Sequence, residues 1–170
     1  MAMRFLFNAG MAAALLAFSA PASAGEALVE WKDPDGYTDI RSGAQSAEGM
    51  RKSIARSLGG EFSELAALLP LGYRLTVTVT DLDLAGEVDP VPTRQMRGIR
   101  VLKDIYFPRM TFDYRLTDAG GAVLLGQSAV ALKDMQYLTS SRTTRTGDPF
   151  YSERKMIRDW FNQRILPEVK

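Results

Sequence analysis

The chain of 170 residues contains no cysteine and no histidine. Without cysteine there are no disulfides, no thiol nucleophile and no thiolate metal centre. Without histidine there is no Ser-His-Asp triad and no ordinary zinc or copper site. The glycine-rich phosphate and dinucleotide loops and the GxSxG nucleophile turn are also missing. The chemistry left open uses carboxylates, serine with lysine, or an oxygen-liganded metal. Net charge is scarce too: 21 basic residues face 20 acidic ones. Such a balance argues against nucleic acid or an anionic membrane as the main partner. Finally, no apolar run reaches the roughly 20 residues that a membrane-spanning helix needs.

What is present describes a globular protein with an address. Arg4 gives the N-terminus a positive charge, Met11 to Phe18 form a short apolar run, and Ala22–Ser23–Ala24 is a small-x-small cleavage pattern. Together these predict a signal peptide over residues 1–24, cut after Ala24. Removing it takes away Arg4 and leaves 25–170 with no net charge. The expected location is therefore the periplasm or the exterior, with no transmembrane segment in the mature chain. A composition of 46% hydrophobic and 24% charged residues suits one folded domain over 25–170. Its stability must come from the core alone.

The periodicity changes along the chain. Ala27, Val29 and Trp31 alternate with polar neighbours and predict a short first strand. Asp33 to Asp39 read as a turn punctuated by Pro34 and Gly36. The three Asp residues there resemble part of a calcium loop, but its late bidentate Glu is missing. From Ala44 to Leu69 the apolar residues Met50, Ile54, Leu58, Phe62, Leu65 and Leu69 fall at steps of three and four. They predict one amphipathic helix that continues across Gly59–Gly60 and ends at Pro70 and Gly72.

Leu75, Val77 and Val79 then alternate with Thr76, Thr78 and Thr80 in the clearest strand of the chain. Strict alternation would carry Asp81 and Asp83 into the core and Leu82 and Leu84 out of it. Two unpaired buried carboxylates would cost several kcal/mol, so a bulge near Thr80–Asp81 or the end of the sheet is expected there. Residues 87–95 read as a loop and 98–105 as a strand. Met110 to Leu116 form a further strand, and Asp118 to Gly121 a hairpin turn. The return strand spans Ala122 to Leu132, and its small residues Gly126 and Ser128 predict a bulge or a closely packed helix. Asp148–Pro149 reads as the start of a final helix with Met156, Ile157, Trp160, Phe161 and Ile165 on its buried side. The predicted class is α+β: a two-layer sandwich with a mainly antiparallel sheet of four to five strands and two amphipathic helices on one face.

Two sets of residues could carry function. Asp81 and Asp83 project from one strand face about 6.6 Å apart, a spacing open to acid–base work, a divalent metal, or simple capping of a strand end. Arg100, Arg109, Arg142 and Arg145 could bind phosphate or carboxylate groups, or pair with Asp81, Asp83, Glu87 and Asp104 in a surface network. Tyr106, Tyr114, Tyr137, Trp31 and Trp160 could line a groove or fill the core.

Several landmarks go beyond period and composition: Asp33–Pro34 with Tyr37–Thr38–Asp39, Asp81 to Glu87, Ile99 to Val101, Pro108–Arg109, Tyr114, Asp134–Met135 with Tyr137–Leu138, and Met156 to Phe161. Together the mature chain resembles the domain-of-unknown-function family 3016 of exported bacterial proteins. The resemblance implies an envelope or secreted protein and assigns no site residues. The expected function is a non-catalytic binding or accessory module of the cell envelope, with no cofactor and no resident metal. Its partner would be an envelope protein or a small anionic ligand rather than nucleic acid. The alternative is a carboxylate- or metal-dependent hydrolase using Asp81 and Asp83.

Overall fold

The computed structural model describes residues 24–42, 45–88, 100–139 and 147–169. The predicted leader, apart from Ala24, lies outside the described residues, as do Arg142 and Arg145.

The first strand, β1 (Glu26–Trp31), turns Ala27, Val29 and Trp31 inward as its alternation requires. Helix α1 (Ala47–Ala66) begins at Ser46, whose hydroxyl accepts the Gly49 N–H at 3.1 Å. Met50, Ile54, Leu58, Phe62 and Leu65 are buried, so the stripe stays in phase across Gly59–Gly60 and the helix does not break there. Burying each of these large side chains contributes about 1.5–3 kcal/mol. That outweighs the roughly 1 kcal/mol that each mid-helix glycine costs.

Strand β2 (Arg74–Asp83) follows, then two-residue strands β3 (Glu87–Val88) and β4 (Arg100–Val101), the longer β5 (Arg109–Thr117) and β6 (Val123–Lys133), and helix α2 (Tyr151–Arg164). The main sheet has four strands in the order β1-β2-β5-β6. β1 and β2 are parallel, whereas β2–β5 and β5–β6 are antiparallel. The sheet is thus mixed, which corrects the antiparallel expectation. The reason is α1: twenty residues of helix carry the chain back along the sheet, so the next strand starts from the same end as β1. The strand expected over 98–105 is also corrected. Among its described residues, 100–105, only Arg100–Val101 is a strand, and it pairs with β3 in a separate two-stranded ribbon.

The core gathers around Phe112 on β5. Phe62 of α1 meets its ring edge-on at 6.1 Å, and Trp160 of α2 does so at 4.9 Å. Tyr114 packs on Trp160 at 5.1 Å. T-shaped pairs of this kind add about 0.5–1.5 kcal/mol beyond their buried area. Tyr114, Tyr137 and Trp160 are therefore core residues, and of the candidate aromatics Trp31 and Tyr106 retain more exposure. The bulge expected near Gly126 and Ser128 is present, between the Gln127–Tyr114 and Val130–Phe112 pairs. Ala129 adopts φ 52° there, and its N–H is held by Asp113 Oδ1 at 2.8 Å. Helix α2 starts three residues later than Asp148. The Asp148 carboxylate instead accepts the Phe150 N–H at 2.9 Å, forming the turn that leads into the helix.

The helices are tied by a clamp that the period of α1 buries. Glu61 is 1% exposed and accepts from Arg154 Nε at 2.7 Å and from Arg158 Nε and Nη2 at 2.9 and 3.0 Å. Arg158 engages both carboxylate oxygens in the bidentate geometry that guanidinium favours.

Candidate functional site

The strand end at Asp81 to Gly86 is where the most segments converge. The phase break expected there is a bulge: Val79 pairs with Phe112 but Asp81 with Thr111, leaving Thr80 as the extra residue. Thr80 Oγ1 donates to the Thr111 carbonyl at 3.2 Å. The half-step turns Leu82 and Leu84 into the core, at 0% and 2% exposure, and Asp81 and Asp83 out of it. A sequence that needs both leucines buried can satisfy them only by spending one residue on the bulge.

The bulge matches an excursion in the neighbouring chain. β1 pairs along β2 as far as the Lys32 N–H to the Val79 carbonyl, 2.9 Å. The chain then leaves through a 3-10 turn at Pro34–Gly36, with Asp33 at φ 49°. It returns at Asp39, whose N–H and C=O bond the Leu82 carbonyl and Leu84 N–H at 3.2 and 3.0 Å. Two side chains fix this returning arm. The Tyr37 hydroxyl donates to the Val79 carbonyl at 2.9 Å, and burial, with the nearby Asp81 and Asp33 charges, pushes its pKa up to about 12. Asp81 accepts the Thr38 N–H and hydroxyl at 2.7 and 2.8 Å, one on each oxygen.

Asp83 is held differently. Its partner is Arg109, at 3.7 Å with half of the arginine side chain exposed. Burial raises its pKa, and Arg109 offsets this only in part against the charges of Asp39 and Asp81. Arg109 also lies over the Phe107 ring, 4.3 Å from its centroid. The pair of carboxylates therefore shares a face but not a ligand: one anchors an arm and the other meets an arginine.

Arg100 bonds Asp39, not Asp81 or Asp83. Its Nη1 donates to Asp39 Oδ2 at 3.1 Å and to the Leu84 and Gly86 carbonyls at 3.3 and 2.6 Å; its Nη2 donates to the Arg41 carbonyl at 2.8 Å. Burial acts to raise the Asp39 pKa, but hydrogen bonds from Arg100 and Arg41 outweigh it and hold the carboxyl below its usual value. Gly86 sits at φ 80°, and a Cβ there would lie 2.6 Å from the Val101 carbonyl oxygen. Its N–H bonds the Tyr106 carbonyl at 2.8 Å. Only glycine fits that conformation and that approach.

Sequence reasoning missed Glu153. It is 1% exposed, and its Oε1 accepts the Ala85 N–H at 2.7 Å. Its Oε2 is buried with no hydrogen-bond partner among the described residues. Burial pushes its pKa up to about 7, against the pull of the Ala85 N–H, its own N–H and the Arg100 charge. A signal was available: Glu153 stands three residues before Met156 and four before Ile157, on the buried stripe of α2. Glu61 shows the same signal, three residues after Leu58 and four before Leu65.

Cavities flank this junction. One of about 290 Å³ lies between the returning arm and α1; Trp31, Pro34, Tyr37, Ile40, Ile54 and Ala55 line it, with Glu48, Arg51 and Lys52 at its margin. A second, of about 410 Å³, borders Ala85, Arg100, Leu102 and Ser152. A third, of about 560 Å³, lies apart from the junction, between β6 and α2. No cluster of three or more acidic side chains able to hold a metal occurs among the described residues. The acids of the Asp33–Asp39 turn diverge, with Asp35 on Arg51 and Asp39 on Arg100 and Arg41. No helix among the described residues is long and apolar enough to cross a membrane.

These features define an α+β protein whose charged candidate residues chiefly secure loops around a sheet end. Residues 25–163 match the family described as Protein of unknown function (DUF3016), and the chain belongs to that family. No curated protein and no solved structure matches the chain.

Proposed function

We propose that the protein is exported, loses residues 1–24, and acts outside the cytoplasm as a non-catalytic binding module of the envelope. In this reading α1 and α2 form one layer over one face of the sheet, supported by the contacts of Phe62 and Trp160 with Phe112. The binding site is the cavity of about 290 Å³ under the returning arm. The observation that carries this reading is its lining. Trp31, Pro34, Tyr37, Ile40, Ile54 and Ala55 offer an apolar floor at the surface, close to the small end of ligand pockets. Arg51 and Lys52 stand beside it, engaged with the largely exposed Asp35 and Glu48. Exposed pairs of that kind are worth about 0–1 kcal/mol, so a ligand anion can replace the acidic partner at little cost. The ligand class is a small molecule with an apolar body and one anionic group.

Hydrolysis by Asp81 and Asp83 has less support, because both oxygens of Asp81 are committed to Thr38. Titration of residues 25–170 with an anilinonaphthalene sulfonate dye tests the binding site. Saturable fluorescence enhancement is expected for the native protein, with loss in Ala55→Trp, which fills the cavity, and weakening in Arg51→Glu. Enhancement that persists unchanged in both variants, or none in the native protein, overturns the site. Export is tested separately by fractionating cells that express the full chain and measuring the mass of the recovered protein.

A further inference from the structure

The residue that follows the predicted cleavage point, Gly25, is closely enclosed at the start of the edge strand β1. Gly25 is buried, while Ala24 before it is exposed. The Gly25 N–H donates to the Leu69 carbonyl at 3.2 Å, and the Glu26 N–H donates to the Tyr73 carbonyl at 2.9 Å. A Cβ built on Gly25 would lie 2.7 Å from the Ala66 carbonyl oxygen, 2.7 Å from Leu69 Cβ and 3.2 Å from the Tyr73 carbonyl oxygen. Gly25 thus sits in a socket: two main-chain carbonyls and Leu69 Cβ close the side on which a Cβ would project, and the Leu69 carbonyl takes its N–H. It sits just past the end of α1 at Ala66, at the negative end of the helix dipole, where the Leu65 and Ala66 carbonyls accept the Leu68 and Leu69 N–H groups at 3.0 and 3.0 Å.

We infer that this socket is built for a free α-ammonium group, which removal of the leader after Ala24 creates at Gly25. The inference rests on the proposed cleavage and adds a structural role for its product. Hydrolysis of the Ala24–Gly25 peptide bond leaves a carboxylate on the departing Ala24. It turns the Gly25 amide, with one N–H, into an ammonium with three. One of these keeps the Leu69 carbonyl, and the positive charge now sits at a helix C-terminus, where cations are favoured. The neighbouring charges do not compete. Glu26 and Arg74 bind each other at 2.7 Å, and Glu64, the last charged residue of α1, reaches Arg154. Tyr73 contributes its carbonyl at the turn into β2. The glycine after the cleavage point is then fixed by the fold: any side chain would strike Ala66 and Leu69. Cleavage one or two residues earlier would move the charge off the helix end and into solvent.

The test compares residues 25–170 starting at a free Gly25 with the same protein N-acetylated, and with a version that starts at Ala24. At pH 6 the free Gly25 form should melt about 2–4 °C above the other two. The gap should shrink as pH rises past the α-amino pKa, which should itself lie above its ordinary value of about 7.7–8.0 when read by NMR at nitrogen-labelled Gly25. Equal melting temperatures at pH 6, or an α-amino pKa at or below the ordinary value, overturn the inference. The mass of the exported protein reports independently on cleavage: a chain that keeps residues 1–24 removes the premise without bearing on the docking measurement.

Discussion

Replacing Glu153 with glutamine should remove a pH dependence from the stability of the protein. The carboxyl is buried at 1% exposure, and its pKa rises from 4.5 to about 7. Between those values the folded chain holds a proton that the unfolded chain has released, so stability falls as pH rises through that window and levels off above it. At about 1.36 kcal/mol per pH unit, the gap between 4.5 and about 7 gives a loss of ~3 kcal/mol. The raised pKa of Asp83 adds a loss in the same direction, and the lowered pKa of Asp39 opposes it. The difference between native protein and variant isolates Glu153. Glutamine keeps an oxygen for the Ala85 N–H but cannot ionise. Denaturant unfolding of residues 25–170 from pH 4.5 to 8.5 should show the variant gaining on the native protein by ~3 kcal/mol across the window. Parallel curves would refute the reasoning, since they would mean that Glu153 titrates alike in both states.

Three further perturbations probe the junction and the clamp. Asp81→Asn should cost about 1–2 kcal/mol in denaturant unfolding, because it weakens both bonds to Thr38; an unchanged midpoint would mean that the arm does not depend on them. Gly86→Ala should cost more than about 1 kcal/mol, from the strained φ and the 2.6 Å approach to the Val101 carbonyl, read as a lowered melting temperature. Glu61→Ala should cost about 2 kcal/mol, below the roughly 3–5 kcal/mol of a fully buried pair, because Arg154 and Arg158 keep partial access to water; an unchanged unfolding midpoint would mean that the clamp contributes nothing. A double variant that also truncates Arg158 should lose less than the sum of the two single changes.

The legibility of the fold followed the strength of its local signals. The stripe of α1 and the alternation of β2 and β5 are repeated many times along the sequence, so each element could be read without its neighbours. The bulge at Thr80 was legible for a different reason. Leu82 and Leu84 cannot face water while Asp81 and Asp83 face the core, so the pattern contradicts itself unless the strand slips or leaves the sheet, and the register shows that it slips. The ribbon strands β3 and β4 gave little warning, since two residues carry no period. Arg100 could be picked out as a candidate, but its acceptors could not: they are three backbone carbonyls and one carboxylate, and two of them, on Asp39 and Arg41, lie 61 and 59 positions away.

By itself the sequence determined the absence of thiol and imidazole chemistry, the two helices, the strong strands and a break of phase near Asp81, which the structure resolves as a bulge. These rest on composition and on periods that a single chain segment expresses. The tertiary structure alone decided that β1 lies parallel to β2, that Asp81 serves Thr38, that Arg100 serves Asp39, and that Glu153 is sealed against Ala85. The physical reason is separation. Those pairings join residues up to 68 positions apart. A side chain's partner is set by which segments the packed core brings together, and no local pattern encodes that.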